Sequence, residues 1–173
     1  MVLMKKEKLK KLLTKVFLKY KLSKAHAKIC SDALVNAELV GATGHGVSRL
    51  KMYCDRISKK LINPKPKFKF KKISKSIIQI DADDSIGFVA ADIGIKKAIE
   101  SAKKTGLGLV GIKRSGHYGL SGYYAEQAVK KNLLTLIFTN APPAIAPHGA
   151  LKTCLEQIPF VLEHLLLQKF LLF

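Results

Sequence analysis

Leu9, Leu12, Leu13, Val16, Phe17 and Tyr20 recur at helical spacing with lysines between them, so the chain opens on an amphipathic helix. Ser23 has the chemistry of an N-cap, and Ala25, Ile29, Ala33, Leu34, Ala37 and Val40 carry a second helix to Gly41. Val47, Leu50, Tyr53, Cys54, Ile57 and Leu61 predict a third, with Arg49 one turn into it on the side that His45 faces. Asn63-Pro64-Lys65-Pro66 then breaks the helical period. Phe68 and Phe70 alternate with lysines as in an exposed strand, and Ile73 with Ile77-Ile78-Gln79-Ile80 gives another. Residues 81–87 read as a turn, 89–104 as a helix and 107–112 as a buried strand. A loop over 115–122 leads to a helix over 123–130, and a strand over 133–138 ends at Thr139-Asn140. Helices first, then strands alternating with helices, predict an α/β fold: a helical N-terminal domain followed by a sheet layer.

Composition leaves this picture standing. The 173 residues are 48% hydrophobic, enough for a packed core. No apolar run reaches membrane-spanning length, and the first residues have too short an apolar stretch for a secretory signal, so no membrane partner is expected. Cys30, Cys54 and Cys154 are widely spaced and show neither a zinc nor a redox pattern, which suits a reducing cytoplasm and predicts no metal site. The formal net charge of +19 raises the question of nucleic acid. Arginine occurs only at 49, 56 and 114, and every other basic side chain among the 31 is lysine, spread along most of the chain. Lysine alone gives diffuse, salt-sensitive attraction and no fork for base or phosphate recognition, so no specific nucleic-acid partner is expected.

Candidate chemistry lies in two glycine-flanked histidines, in Thr43-Gly44-His45-Gly46-Val47-Ser48-Arg49 and in Ser115-Gly116-His117-Tyr118-Gly119. Imidazole gives and takes a proton near neutral pH, and the guanidinium of Arg49 matches a carboxylate. Together they point to chemistry on a small organic acid. A literal G-x-G-x-x-G at Gly106, Gly108 and Gly111 follows a helix and lies within a strand, the reverse of the dinucleotide fingerprint, so its glycines are expected to cap and pack. The loop over 115–122, after a strand and opening a helix, is the better anion site.

These residues resemble the malate/L-lactate dehydrogenase family, which also contains ureidoglycolate and sulfolactate dehydrogenases. The resemblance rests on the two histidine segments with Gly41-Ala42 and Leu50, on Leu61-Ile62-Asn63-Pro64, on Gly106-Leu107-Gly108-Leu109-Val110, and on Thr139-Asn140-Ala141-Pro142-Pro143-Ala144-Ile145-Ala146-Pro147. It implies NAD- or NADP-dependent interconversion of 2-hydroxy and 2-oxo acids and a cofactor domain that is not a Rossmann fold. By position it implies His117 as the general acid/base, with Arg49 on the substrate carboxylate and His45 beside it. It implies His117, Tyr118, Gly119, Leu120, Ser121 and Asn140 at the cofactor, and Thr139 facing the substrate. Relatives are dimeric, so a full-length version is expected to be a homodimer. The family usually carries Ser where Gly44 stands and often where Ala141 stands.

The family continues after Pro147-His148-Gly149 to a Leu-Gly-Thr-Asn-Pro motif, whereas this chain runs Leu155-Glu156-Gln157-Ile158-Pro159-Phe160. One permitted coding of this stretch, with one base added after the Leu155 codon, translates as Leu-Gly-Thr-Asn-Pro-Phe-Cys-Ile-Gly-Thr. The expected organisation is therefore a helical N-terminal domain with the substrate loop over 1–62, part of a cofactor-binding α/β domain over 63–155, and an out-of-frame tail over 156–173, with impaired activity. The alternatives are a shortened non-catalytic binding module and a basic nucleic-acid-associated protein.

Overall fold

The computed structural model describes residues 4–141, 143–146, 148–149, 151–152, 155–156 and 160–163. The first predicted helix forms as α1, Lys6–Lys19, and buries Leu13 and Phe17, four residues apart on one face. Helix α2, Lys24–Leu39, starts where the cap was predicted: the Ser23 hydroxyl oxygen accepts the His26 N–H at 3.1 Å. Small buried residues on α2, Ala27, Cys30, Ser31, Ala33 and Ala37, allow close packing. The buried Ser31 hydroxyl donates to the Ala27 carbonyl at 2.7 Å and accepts from Thr14 at 3.0 Å, so the polar group between the two helices is satisfied.

The third helix departs from expectation. Two 3-10 turns, Thr43–His45 and Val47–Arg49, precede α3, Leu50–Ser58. Arg49 is the residue before the helix, not one turn into it, because Gly46 between the turns adopts φ −94° and ψ −142°, outside helical geometry. Helix α3 stops short of Leu61, and Lys60 follows at φ 58°.

The first sheet contains β1, Lys69–Lys72, β2, Ile77–Ser85, and β3, Leu109–Ser115, in the order β1-β2-β3. β1 is antiparallel to β2, with Lys69 opposite Asp81 and Lys72 opposite Ile78. β2 and β3 are parallel, with Ile77 opposite Leu109 and Ile80 opposite Ile112. Helix α4, Gly87–Thr105, makes the crossover between them. One core cluster joins Leu13, Phe17, Leu34 and Tyr53 to Ile86, Phe88 and Val89, so the N-terminal helices pack on the start of α4.

Two strand expectations are corrected. Residues 81–85, predicted as part of a turn, continue β2. Asp83 (φ 52°) and Asp84 (φ 55°) form an irregularity there rather than a chain reversal. The physical reason is distant in sequence. Arg114 reaches Asp81 at 2.8 Å, Asp83 at 3.0 Å and Asp84 at 3.2 Å. Its hydrogen bond lowers the Asp81 pKa, and the backbone N–H of Lys67, with Arg114 after it, lowers that of Asp83. Strand β3 is not buried as expected: Leu109 and Ile112 keep 49% and 37% of their surface. Among the described residues its partner in the sheet is β2 alone, and it contacts α4 on one face, where Ile112 lies over Gly94. Two of the three glycines of the false fingerprint do as expected, while Gly111 has nothing within 4 Å of the place of its missing side chain. Gly106 caps α4 at φ 79°, and a Cβ on Gly108 would strike the carbonyl of Ala98.

The chain divides into two compact units, 1–124 and 125–173, the boundary falling within α5, Gly122–Val129. In the second unit β4, Thr135–Phe138, pairs antiparallel with β7, Phe160–Glu163, and β5, Pro143–Ile145, with β6, Leu155–Glu156. Of the predicted tail only 156 and 160–163 are among the described residues; Cys154, Pro142 and Pro147 also lie outside them. Cys30 and Cys54 are buried free thiols. Among the described residues no helix is long and apolar enough to cross a membrane.

Candidate functional site

The loop that carries His117 rests on the first turn of α4. The Gly116 N–H donates to the Ser85 carbonyl at 3.2 Å. A Cβ on Gly87 would run into the carbonyls of Gly116 and His117, so the loop backbone occupies the space that a side chain there would take. Gly119 turns at φ +81°, a conformation costly to other residues, and its missing Cβ would lie 2.6 Å from the ring of buried Phe88. The loop is also pinned from within. Buried Tyr124 donates its hydroxyl to the Tyr118 carbonyl at 2.7 Å, and the hydroxyls of Tyr118 and Ser121 lie 2.9 Å apart.

This seat brings His117 onto α3. The Tyr53 hydroxyl lies 2.7 Å from His117 Nδ1, and the Gly119 N–H donates to the same nitrogen at 3.3 Å. Tyr53 is itself buried and fixed by its contact with Phe88, with ring centres 4.8 Å apart. Nδ1 is therefore occupied, and Nε2 makes no hydrogen bond among the described residues.

His45 completes the cluster. Its ring stacks on that of His117 at 5.9 Å and 14°. The first 3-10 turn ends at His45, and the second ends at Arg49, whose Nε donates to the Gly44 carbonyl at 2.8 Å. That bond uses one of the guanidinium's five N–H donors and leaves four. The Ser48 hydroxyl donates to the Thr43 carbonyl at 2.7 Å, and the Val47 N–H donates to Glu38 Oε1 at 2.7 Å. Partial burial lowers the His117 pKa from its ordinary value near 6.5, and electrostatic interaction with His45, Arg49 and Arg56 lowers it further. The neutral form of the imidazole is thus favoured, with Nδ1 engaged by Tyr53, near the guanidinium groups of Arg49 and Arg56. Burial raises the Tyr53 pKa, so its hydroxyl stays protonated.

Of the residues singled out in the sequence, the structure brings together His45, Arg49 and His117, with Tyr118, Gly119, Leu120 and Ser121 on the same loop. Thr139 and Asn140 follow β4 in the second unit, where the Thr139 hydroxyl donates to the Asn140 carbonyl at 3.2 Å. Sequence reasoning missed Tyr53, Arg56 and Glu38. Tyr53 was assigned to the apolar face of a helix, yet a buried tyrosine needs a partner for its hydroxyl, and that need was the available signal. Glu38 and Arg56 offered none, because a carboxylate or guanidinium on a helix is usually a solvated group.

Residues 4–162 match the malate/L-lactate dehydrogenase family, a span that continues past Leu155. The chain is 40% identical over 127 residues to a malate/(S)-sulfolactate dehydrogenase of Methanothermus fervidus, covering 73% of this chain and 38% of that protein. It is 35% identical over 161 residues to an L-sulfolactate dehydrogenase of Methanocaldococcus jannaschii, covering 93% of this chain and 47% of the relative. The solved malate dehydrogenase of Pyrococcus horikoshii superposes with a TM-score of 0.89 at 36% identity, over 94% of this chain and 47% of that one. The chain therefore spans less than half the length of these relatives. The α/β arrangement, the paired histidine loops and the match over nearly all of its length agree: this chain belongs to the malate/L-lactate dehydrogenase family.

Proposed function

We propose that this chain carries the acid–base and substrate-binding part of a nicotinamide-dependent dehydrogenase acting on small 2-hydroxy acids. The observation that carries the proposal is the imidazole of His117, fixed at Nδ1 by Tyr53 and kept below its ordinary pKa beside His45 and Arg49. The Nδ1–H tautomer of His117, donating to the Tyr53 hydroxyl oxygen in place of accepting from Gly119, is the one that leaves a lone pair on Nε2. In the oxidation direction that nitrogen takes the proton of the substrate hydroxyl as the carbon gives up hydride, and the carbonyl of the 2-oxo acid forms. In reduction the imidazolium returns that proton to the carbonyl oxygen. The guanidinium of Arg49 holds the carboxylate and orients the reacting carbon, with His45 as its polar neighbour.

The nicotinamide cofactor, NAD or NADP, supplies the hydride acceptor or donor when bound. His117, Tyr118, Gly119, Leu120 and Ser121 are proposed to hold it, with Asn140, while Thr139 faces the substrate. The donor loop suits such a ligand: Gly122, the first residue of α5, has no atom within 4 Å of the place of its missing side chain, so the helix start is open to close approach. Residues 1–62 serve as the substrate-side domain and 63–155 as part of the cofactor domain, with 156–173 out of frame. A full-length protein is a homodimer.

The test is hydride transfer, followed by nicotinamide absorbance with L-malate, L-lactate and L-sulfolactate. His117→Ala is expected to lower kcat by about two to four orders of magnitude and leave cofactor affinity nearly unchanged. Unchanged turnover removes His117 from the mechanism. DNA downstream of the Leu155 codon tests the tail: one restored base is expected to reopen a long family-like frame, and absence of such a frame in every register ends that reading.

A further inference from the structure

Glu38, in the last turn of α2, reaches out of its own helix to the loop between His45 and Arg49. Its Oε1 accepts the N–H of Val47 at 2.7 Å. Val47 opens the second 3-10 turn, so that N–H has no partner inside the turn and needs one from elsewhere. The same carboxylate fills the space beside Gly46: a Cβ there would collide with Glu38 Oε1 and lie 2.7 Å from its Cδ. Gly46 is buried although its neighbours Gly44 and His45 are exposed. The carboxylate therefore lies against the backbone at the one joint between the two turns. The turn before this joint ends on His45, whose ring stacks on His117. The turn after it ends on Arg49, whose Nε returns to the Gly44 carbonyl.

We propose that Glu38 is a positioning residue of the site: its carboxylate, seated on the Gly46–Val47 backbone, sets the spacing of the His45 imidazole and the Arg49 guanidinium and thereby the surroundings of His117. This goes beyond the dehydrogenase reading, which alone gives it a catalytic consequence; the positional claim stands without it. The acceptor oxygen carries the role, not the charge, so glutamine keeps it. Aspartate, one methylene shorter, does not reach without pulling Val47 toward α2. The role also explains why Gly46 must lack a side chain.

The test uses the full chain and the ring Cε1–H resonances of His45 and His117, assigned through His45→Gln and His117→Gln. Glu38→Ala is expected to displace both resonances in the folded protein. Glu38→Gln is expected to reproduce the wild-type spectrum. Gly46→Ala is expected to displace them in the wild-type background and to add little in the Glu38→Ala background, where the colliding carboxylate is gone. A Glu38→Ala protein that melts earlier but keeps both wild-type resonances overturns the proposal, since Glu38 is then only a stabilising cap. Should Glu38→Ala not fold, Glu38→Asp carries the decision: displaced resonances are expected with Asp and not with Gln, and identical spectra for the two overturn the proposal. Where turnover is measurable, Glu38→Ala is expected to raise KM for the acid about fivefold at unchanged cofactor affinity, with Gln restoring it. Absence of turnover in a frame-restored protein defeats the dehydrogenase reading and leaves the resonance test intact.

Discussion

His45 and His117 lie in loops of similar composition, each beside glycine and each ending near a helix, yet the two loops are held by different means. Side chains hold the first: Arg49 on the Gly44 carbonyl, Ser48 on the Thr43 carbonyl and Glu38 on the Val47 N–H. Backbone seats the second: Gly116 on Ser85, with the main chain of 116 and 117 lying where a side chain at Gly87 would go, and the bonds of Tyr124 and Tyr53 add to that seat. Single hydrogen bonds contribute about 1 kcal/mol each and can be exchanged one at a time. A backbone seated on a helix start has no flexible atom to move, and one added methyl must displace the whole loop. On the proposed function, the adjustable loop carries the groups that meet a substrate carboxylate and the rigid loop carries the proton carrier.

The sharpest break of this contrast is Gly87→Ala. It is expected to cost about 3 kcal/mol in urea unfolding, since the obstructing atoms are backbone carbonyls. A cost below about 0.5 kcal/mol, the range of a neutral surface change, means that the loop is not seated there. Tyr53→Phe comes next. It deletes the 2.7 Å contact to Nδ1 and is expected to cost about 1–2 kcal/mol and to lower kcat more than it raises KM. A kcat equal to wild type shows that the hydroxyl does not orient the imidazole.

A smaller effect follows from the lowered His117 pKa. Below about pH 6.5 an unfolded chain takes up a proton that native His117 resists, so stability falls as pH drops through that value and levels off once the native imidazole also titrates. The component of the slope due to His117 is expected to vanish in His117→Asn, compared by thermal melting from pH 7.5 to 5.0. An identical slope in both proteins places the proton uptake elsewhere. Least costly to the fold is Arg49→Lys, which loses the Nε bond to Gly44 and is expected to cost about 0.5–1 kcal/mol while weakening acid binding more than cofactor binding. Calorimetric titration that shows equal losses for acid and cofactor makes Arg49 a structural strut of its loop.

Much of the first unit was legible because its signals are local. The period of Leu9 to Tyr20, the Ser23 cap and the stop at Gly41 each depend on neighbours a few residues away, and α1 and α2 follow them closely. The failures sit where a distant partner decides. Asp81, Asp83 and Asp84 have the composition of a turn, and Arg114, some thirty positions later, keeps them in β2. Leu109 and Ile112 have the composition of a core strand, and their exposure goes with a position that has β2 as its one partner strand among the described residues.

For the site, residue chemistry by itself picked out His45, Arg49 and His117, because imidazole and guanidinium beside glycine are uncommon pairings with a definite use. It also marked Gly106 as a cap and Gly108 as a packing position, since the order of helix, glycine and strand is written along the chain. Tertiary structure decided which nitrogen of His117 is occupied, that Tyr53 occupies it, and that Glu38 clamps the neighbouring turn. The reason is physical: periodicity and capping are set by contacts within a few residues, whereas desolvation and hydrogen-bond partners at a site belong to whatever segments the fold places side by side.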